Sequence, residues 1–304
     1  MPELPEVEAL TVFLGGRLAG RRIERVQPVA VSVLKTYDPP FTALEGRTVT
    51  AVTRHGKFLD VEADGLRLVV HLARAGRLHW RRTLPDTPPR PGKGPLALRV
   101  RLAPADGAAD TGAGFDLTEA GTHKRLAVYC VRDPAEVPGI ARLGPDPLDE
   151  AFTAEVFAGL LCGERRRIKG VLRDQSVIAG IGNAYSDEIL HAARMSPYQL
   201  AANLGEERTA GLYAALRETL GGAVERARAL GEGAEGAEGK LEAGRLAAEK
   251  RSGMRVHGRS GQPCPVCGDT VREVSFADSS LQYCPTCQTG GKPLADRRMS
   301  RLLK

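Results

Sequence analysis

The first eight residues, Met-Pro-Glu-Leu-Pro-Glu-Val-Glu, place an imino acid beside several carboxylates. A small second residue such as Pro2 normally permits removal of Met1, which leaves a secondary amine at the chain terminus. Pro5 suits the first turn of a helix, and apolar residues recur at helical spacing over 7–18. The sequence therefore predicts a helix that begins directly after this amine.

The positive end of that helix disfavours protonation of the Pro2 amine, which keeps the amine nucleophilic near neutral pH. Attack on an aldehyde-level carbon, such as C1′ of a sugar, forms an iminium that makes elimination of the sugar's phosphates easy. Glu3, Glu6 and Glu8 supply carboxylates for the necessary proton transfers. The alternative is ordinary capping chemistry, in which Pro and Glu merely start a helix.

Four cysteines near the end of the chain form two C-x-x-C pairs, Cys264 with Cys267 and Cys284 with Cys287, separated by 16 residues. This spacing is typical of zinc sites, and four thiolates complete a tetrahedral shell with no open position. The sequence predicts one structural Zn²⁺ per chain, held by a β-hairpin whose turn lies near residues 278–280. Two disulfides are the alternative, which would require a secretory route.

The formal charge of +6 lies entirely in residues 240–304, where twelve Lys and Arg stand against six Asp and Glu. A basic module of this kind favours a polyanionic partner such as nucleic acid, although a solvated basic face gives the same composition. No segment has the pattern of a signal peptide or a membrane span. We therefore expect a cytoplasmic protein with no membrane partner, and buried, free thiols at Cys130 and Cys162.

The elements that position these groups change along the chain. Residues 1–140 are rich in β-branched runs and are expected to form the N-terminal catalytic domain, while 145–230 carry helical periodicity. Residues 231–253 have the composition of a flexible linker with one short basic helix. The remainder, 254–304, is the cysteine module with a basic C-terminal extension.

Seven segments occur in a fixed order: PELPEVE, RHGKFL, HLARAGRL, LGPDPL, IKGVLRDQSVIAGIGNAYSDEIL, VHGRSGQPCPVCG and YCPTCQ. In this combination the chain resembles the formamidopyrimidine-DNA glycosylase / endonuclease VIII family of DNA-repair glycosylases. The resemblance implies an α+β fold: an N-terminal β-sandwich with flanking helices, a helix-two-turn-helix DNA-binding domain and a C-terminal zinc-finger β-hairpin. It also implies that damaged double-stranded DNA is held between the two halves of a monomer.

The resemblance implies that Pro2 is the Schiff-base nucleophile and that Glu3 donates a proton to the sugar. Lys57, in RHGKFL, matches a lysine that meets the phosphate beside the lesion and assists catalysis. A surface lysine at a strand end is the alternative for Lys57. His71, in HLARAGRL, is expected among the DNA-binding residues.

The resemblance also assigns residues in the middle of the chain. Residues 180–183 are expected to form the turn before the second helix of the motif, where backbone N–H groups bind a phosphate and Asn183 adds a side-chain contact. Lys169 is expected to face the DNA backbone, although a helical surface lysine explains it equally well. Asp187 and Glu188 fit a scaffold role as well as a catalytic one.

The chain departs from the family where the space left by an extruded base is filled. Arg74 stands where oxidised-purine members have a methionine, and it intercalates, contacts the opposite strand, or does neither. The family's DPRRFG loop is replaced by DLTEAGTHKRLAV, in which His123, Lys124 and Arg125 form either a basic wedge or a solvated turn. These departures leave the preferred lesion open among oxidised purines, oxidised pyrimidines, bulky adducts and abasic sites.

The zinc module departs as well. Ser279 occupies the position of a DNA-contacting arginine. That contact is lost or is moved to Arg272, Arg297, Arg298 or Arg301.

The expected function is that of a bifunctional DNA glycosylase and abasic-site lyase. Pro2 displaces the damaged base at C1′, and β- then δ-elimination breaks the strand. Two other classes are considered: a damage-binding or nucleoid protein that lacks turnover on the same scaffold, and a zinc-ribbon regulator that binds duplex DNA in a sequence-specific way.

Overall fold

The computed structural model describes residues 1–90, 92, 94–104, 112–121, 123–232, 243–276 and 279–295. These residues divide between two compact units. Unit 1 comprises Met1–Arg142 with Val224–Glu249, and unit 2 comprises Leu143–Ala223 with Lys250–Lys304. None of the helices in the described ranges is both long and apolar enough to cross a bilayer.

Unit 1 begins with helix α1 (Leu4–Leu18) and contains two four-stranded antiparallel sheets. One sheet has the order β1-β6-β7-β5 and the other the order β2-β3-β4-β8. The strands are β1 (Ile23–Pro28), β2 (Val49–His55), β3 (Phe58–Ala63), β4 (Leu66–His71), β5 (Gly76–Arg81), β6 (Leu96–Leu102), β7 (Gly114–Glu119) and β8 (Ala127–Val131).

The main apolar core of unit 1 draws residues from both sheets and from α1, which makes the unit a β-sandwich. Leu59, Val61 and Ala63 alternate along β3 toward this core, as the period of two in a strand requires. The predicted helical stripe of α1 is confirmed, since Val7, Leu10, Leu14 and Leu18 are buried. The side chains of Phe13 and Trp80 meet edge to face, with ring centroids 6.5 Å apart.

Unit 2 contains the helices α2 (Ala154–Leu161), α3 (Ile168–Arg173) and α4 (Asn183–Ala192), followed by the first part of α5 (Glu206–Glu232). Thr153 caps α2 by accepting a hydrogen bond from the N–H of Val156. A second apolar core includes residues of all four helices. This is the helical domain that the periodicity predicts.

The rest of α5, from Val224, and helix α6 (Ala243–Ser252) belong to unit 1, apart from the last residues of α6. Ala227 and Leu246 are buried in the same core as α1. The structure therefore has a basic helix, α6, within 231–253, where a linker with one short helix is expected.

The cysteine module lies in unit 2 and contains the two-stranded antiparallel hairpin of β9 (Arg272–Ser275) and β10 (Ser280–Tyr283), followed by the short helix α7 (Pro285–Thr289). The zinc-finger hairpin and the α+β fold class are thus confirmed. Residues 277–278 of its turn, and Arg297, Arg298 and Arg301, lie outside the part of the chain that the structure describes.

The two remaining cysteines differ. Cys130 is buried in the sandwich, and burial raises the pKa of its thiol to about 11. Cys162 is exposed, so the prediction of a buried thiol there is wrong. The apolar run FAGLL belongs to α2, but Cys162 is the residue at which that helix ends, and it therefore leaves the buried face.

Candidate active site and metal centre

The N-terminus is shaped by the start of α1. Glu3 occupies the N-cap and is only 3% exposed. Its backbone N–H donates to Oε2 of Glu6 at 2.8 Å. Two buried carboxylates thus lie at the positive end of the helix, where the backbone field stabilises their charge.

Pro2 lies one residue before the N-cap and is partly exposed. Met1 precedes it and is 49% exposed. While Met1 is present the Pro2 nitrogen is an amide, and its removal converts this nitrogen into a secondary amine beside Glu3. The local structure therefore places a potential nucleophile next to a buried acid.

Glu8, in the next turn of α1, is held by two arginines. Arg54 at the end of β2 donates from Nε to Glu8 Oε2 at 2.9 Å, and Arg228 of α5 contacts the other oxygen. Burial raises the pKa of Glu8, but hydrogen bonds and charges from Arg228 and Arg54 outweigh that effect and bring the pKa below its usual value. Arg54 also donates from Nη1 to the carbonyl of Gly56 at 3.1 Å.

Lys57 follows Gly56 in the two-residue turn between β2 and β3 and is 7% exposed. It is therefore not a surface lysine, and that alternative is wrong. His71, across from Phe58 in the sheet, packs against its ring in a tilted arrangement with centroids 4.7 Å apart. Burial, helped by the charge of Lys57, lowers the pKa of His71 to about 4, so its imidazole is neutral at pH 7.

Arg74 lies at the tip of the turn between β4 and β5 and is exposed. The N–H of Gly76 donates to the carbonyl of Leu72 at 2.9 Å and closes this turn. A Cβ at position 76 would lie 2.2 Å from that oxygen, so only glycine fits there. The backbone therefore fixes where Arg74 emerges from unit 1.

Lys124 and Arg125 are exposed on the connection between β7 and β8. The buried carboxylate of Glu119 accepts hydrogen bonds from the N–H groups of Arg125 at 2.6 Å and Leu126 at 2.8 Å. The ammonium of Lys124 donates to the carbonyl of Glu119. Glu119 thus anchors the basic residues Lys124 and Arg125, and no sequence pattern indicated this contact.

Lys169 on α3 lies in the interior of unit 2 and is only 6% exposed, so it is not a surface lysine, and its contact with the DNA backbone stays a prediction. Its Nζ donates to Oδ1 of Asp187 at 2.6 Å and to Oγ of Ser186 at 2.8 Å. It also donates to the carbonyl of Asn183 at 3.1 Å. Lys169 therefore fixes the first turn of α4 through internal contacts.

Asn183 begins α4 after a turn in which Gly180 adopts a φ of +87°, a conformation that favours glycine. Its Nδ2 donates to the carbonyl of Ser280 on β10 at 2.7 Å. Its Oδ1 is buried and has no hydrogen-bond partner among the described residues. The side chain thus joins the helix start to the hairpin.

Asp187 and Glu188 act as scaffold groups. Glu188 accepts hydrogen bonds from the backbone N–H groups of residues 255–257 at 2.7 to 3.0 Å. Asp187 accepts from Lys169 and lies 2.8 Å from Nδ1 of His257. Burial raises the pKa of Glu188, opposed by its three backbone hydrogen bonds. Helix α4 therefore fastens the chain that enters the cysteine module.

The four cysteine sulfurs lie within 4.8 Å of one another. Sγ of Cys264 is 3.9 Å from that of Cys287, and the Cys267 and Cys284 sulfurs are 3.3 Å apart. A disulfide is about 2.05 Å long, whereas sulfurs about 2.3 Å from a tetrahedral zinc are about 3.8 Å apart. The donor set and spacing fit one Zn²⁺ with all positions filled by protein, which excludes the disulfide alternative.

The hairpin carries Ser279 where the family has an arginine. The carbonyl of Ser279 accepts a hydrogen bond from the N–H of Phe276 at 2.7 Å. Arg272 is exposed on β9 and pairs with Tyr283 in the ladder. Of the four arginines considered as replacements, Arg272 alone lies in a described range.

Three family models match successive parts of the chain. The formamidopyrimidine-DNA glycosylase N-terminal domain matches residues 1–111, the formamidopyrimidine-DNA glycosylase H2TH domain matches 143–232, and the zinc finger found in FPG and IleRS matches 261–290. The third match agrees with the geometry of the cysteines. Together they follow the order of the sandwich, the helical domain and the hairpin.

Relatives match over most of the chain. The formamidopyrimidine-DNA glycosylase of Symbiobacterium thermophilum is 34% identical, with 98% of this chain and 93% of that protein covered. An uncharacterized formamidopyrimidine-DNA glycosylase-like protein of Mycobacterium tuberculosis is 58% identical over 170 residues, which are 56% of this chain and 99% of that protein.

Solved structures of similar proteins superpose on most of this chain. Fpg of Lactococcus lactis, non-covalently bound to DNA that contains an AP site, superposes with a TM-score of 0.76 at 25% identity, covering 94% of this chain and 99% of that one. MutM (Fpg) of Thermus thermophilus gives 0.73 at 32% identity, covering 96% and 100%. The fold and the metal site define a zinc-containing DNA glycosylase. The chain belongs to the formamidopyrimidine-DNA glycosylase family.

Proposed function

We propose that this protein is a base-excision-repair DNA glycosylase with abasic-site lyase activity, and that its nucleophile is the Pro2 amine freed by removal of Met1. One observation carries the proposal: Pro2 directly precedes a helix whose first turn buries the carboxylates of Glu3 and Glu6. A neutral amine and a buried acid are the two groups that this chemistry needs.

In the proposed reaction, the amine attacks C1′ of an extruded damaged nucleotide and loses its proton to a carboxylate. The bond from C1′ to the base breaks, and the base departs with the bonding electrons and is protonated. Protonated Glu3 gives its proton to the ring oxygen, which opens the sugar to an iminium. Loss of the C2′ proton expels the 3′ phosphate, loss of the C4′ proton then expels the 5′ phosphate, and water hydrolyses the iminium to restore the amine.

Lys57 and His71 of unit 1 are proposed to bind DNA phosphates, and Asn183 of unit 2 is separately proposed to bind a phosphate. Lys57 brings a charge, while His71 is neutral at pH 7 and offers a hydrogen bond without a second charge. The buried Oδ1 of Asn183, without a partner among the described residues, leaves its amide with unused capacity. Lys169 is proposed to orient the Asn183 turn from inside. Such contacts make binding strongly dependent on salt.

Arg74, Lys124 and Arg125 are proposed to contact DNA from the two exposed turns of unit 1. Arg74 stands in place of a flexible apolar side chain, so we expect it to set which base is accepted opposite the lesion. The protein is proposed to act as a monomer on damaged duplex DNA in the cytoplasm. The zinc supplies structure to the hairpin and takes no part in the proposed reaction.

Sodium borohydride trapping tests the proposal, since it reduces the iminium to a stable covalent adduct with DNA. Protein whose intact mass shows a free Pro2 should be trapped on abasic duplexes and leave nicked strands with phosphate ends. The matched control carries additional residues ahead of Pro2, so the nitrogen is an amide and no adduct should form. Tight binding without trapping or nicking by the processed protein contradicts the proposal and indicates a damage-binding protein instead.

A panel of duplexes that carry oxidised purines, oxidised pyrimidines, bulky adducts or abasic sites, each with four opposite bases, defines the lesion. Arg74→Met supplies the comparison at the substituted position. We expect this variant to change the opposite-base preference while leaving trapping on abasic DNA intact. An unchanged preference would exclude Arg74 from recognition.

A further inference from the structure

His191 lies in the last turn of α4 and is 3% exposed, between the apolar residues of the helical core and the cysteine module. Its Nε2 is 3.3 Å from Sγ of Cys264, within hydrogen-bond distance for sulfur. Both residues belong to unit 2. An imidazole at this depth requires a partner for its proton, because a buried polar group without one is costly.

The state of the zinc-bound cysteine determines the direction of this hydrogen bond. A zinc-bound cysteine is a thiolate and only accepts, so Nε2 carries the ring proton and donates. Nδ1 of His191 is buried and has no hydrogen-bond partner within the described ranges. A proton on Nδ1 would therefore have no acceptor. Both nitrogens are therefore consistent with one tautomer, in which Nε2 is protonated and Nδ1 is not.

We infer that His191 is a positioning residue for the zinc centre, which donates an N–H···S hydrogen bond to the metal ligand Cys264. Four thiolates and one Zn²⁺ carry a net charge of −2, and a donor to sulfur draws negative charge away from that centre. The hydrogen bond also fixes the Cys264 sulfur for the metal, since outer-shell partners orient inner ligands.

The position of His191 gives this contact a wider consequence. The helix that donates to the metal ligand also carries Asn183, joined to β10, and Glu188, joined to residues 255–257. Zinc occupancy and the placement of α4 are thus energetically linked, because His191 interacts with the thiolate in the metal-loaded state. Metal loading therefore stabilises the helix that bears Asn183 as well as the hairpin.

Two substitutions separate the hydrogen bond from packing. His191→Phe keeps an aromatic ring and removes the donor, whereas His191→Gln places an amide N–H near the position of Nε2. We expect the Phe variant to lose about tenfold or more in zinc affinity, measured by chelator competition without DNA, and the Gln variant to recover most of it. Leu190→Ala, which leaves a cavity beside the same helix and removes no polar group, is the matched control for general destabilisation.

Replacing zinc with Co²⁺ gives an absorption band that depends on the cysteine sulfur electrons and does not change when only side-chain packing changes. A hydrogen bond stabilises the sulfur electrons, so its loss should shift the thiolate-to-Co²⁺ charge-transfer band to longer wavelength in His191→Phe, but not in Leu190→Ala. An unchanged band and affinity in His191→Phe overturn the inference. Equal weakening in the Phe and Gln variants, with no band shift, also overturns it and leaves His191 as a packing residue.

A measurement on the unmodified protein covers the case in which neither variant folds. In the ¹¹³Cd-loaded form, nitrogen NMR should show His191 protonated at Nε2, with scalar coupling from that proton to cadmium through the sulfur. An unprotonated Nε2 overturns the inference. The zinc-affinity, cobalt-spectrum and NMR measurements require no glycosylase or lyase activity, so the test of His191 is independent of the proposed function.

Discussion

The guanidinium of Arg54 joins Glu8 on α1 to the turn that carries Lys57, through a 2.9 Å contact to the Glu8 carboxylate and a 3.1 Å hydrogen bond to the Gly56 carbonyl. The side chain of Arg54 is only 8% exposed. Because α1 also follows directly on Glu3, one buried arginine sets the spacing between the acid and the lysine. That spacing is a property of unit 1 alone.

We predict that Arg54→Lys slows catalysis while leaving DNA affinity nearly unchanged. Lysine keeps the charge but lacks the planar guanidinium that contacts the Glu8 carboxylate and the Gly56 carbonyl at the same time. Small displacements of reacting groups cost up to about a hundredfold in rate, so single-turnover base removal should fall about ten- to a hundredfold. Arg25→Lys, on an exposed position of β1, is the control. Equal rates in both variants would exclude the positioning role.

For Glu3→Gln we predict loss of base removal by about two to four orders of magnitude, as expected for a general acid. Glutamine is nearly isosteric and stays neutral, so the buried N-cap and the fold should persist. Glycosylase rate, thermal melting and abasic-site affinity should be measured together. Full activity in a folded Glu3→Gln protein would remove Glu3 from the mechanism.

His71 makes unit 1 less stable in mild acid. Its pKa falls from 6.5 to about 4 in the folded state, so between these values the unfolded chain binds more protons. Stability is therefore retained above about pH 6.5 and is lost as the pH falls toward 4. Over this pH range the free energy of unfolding falls by on the order of 1 to 3 kcal/mol.

Trp80 is the single tryptophan and is buried in unit 1, so its fluorescence reports unfolding there. Urea titrations at several pH values should show a smaller loss of stability in His71→Phe than in the parent protein. Parallel pH profiles for the two proteins would contradict this prediction.

Replacement of Lys169 by Met should destabilise unit 2 by about 3 to 5 kcal/mol, because the charge of Asp187 is left buried without its main partner. Changing Asp187 to Asn in the same protein should recover part of that loss. If Lys169 acts only from inside, the double variant keeps the parental salt dependence of DNA binding. If the slope of log affinity against log salt concentration were smaller by about one unit, Lys169 would instead contact a phosphate directly.

Removal of zinc by a chelator should unfold the hairpin and abolish DNA binding while the sandwich keeps its buried Trp80 signal. Without the four metal–thiolate bonds, the described part of the module retains only two small apolar clusters. Near-ultraviolet dichroism and tryptophan fluorescence, followed during chelation and zinc return, distinguish the two units. Simultaneous loss of both signals would contradict the prediction.

The metal site and helix α1 could both be predicted from limited stretches of the sequence. The cysteine spacing predicted the metal site because four ligands in two turns have few other uses. The period of apolar residues predicted α1, and Pro5 predicted where it starts. The helix is determined within a few residues, and the metal site is determined by two short C-x-x-C pairs whose separation of 16 residues is itself typical of zinc sites, so neither required knowledge of the fold.

Other roles depend on residues distant in sequence. His191 and Cys264 are 73 positions apart, and Glu8 and Arg54 are 46 apart, so no local pattern marks either pair. Lys169 has the sequence context of a surface residue, yet packing places it against Asp187. The run before Cys162 is apolar, but the end of α2 leaves the thiol exposed.

The sequence by itself thus determined the nucleophile candidate, its adjacent acid, the metal ligands and the family. Only the tertiary structure decided which charged groups are buried, which partner each one has and what state His71 takes at neutral pH. The physical reason is that burial and charge pairing arise when distant segments pack together, and these two effects control both pKa and geometry.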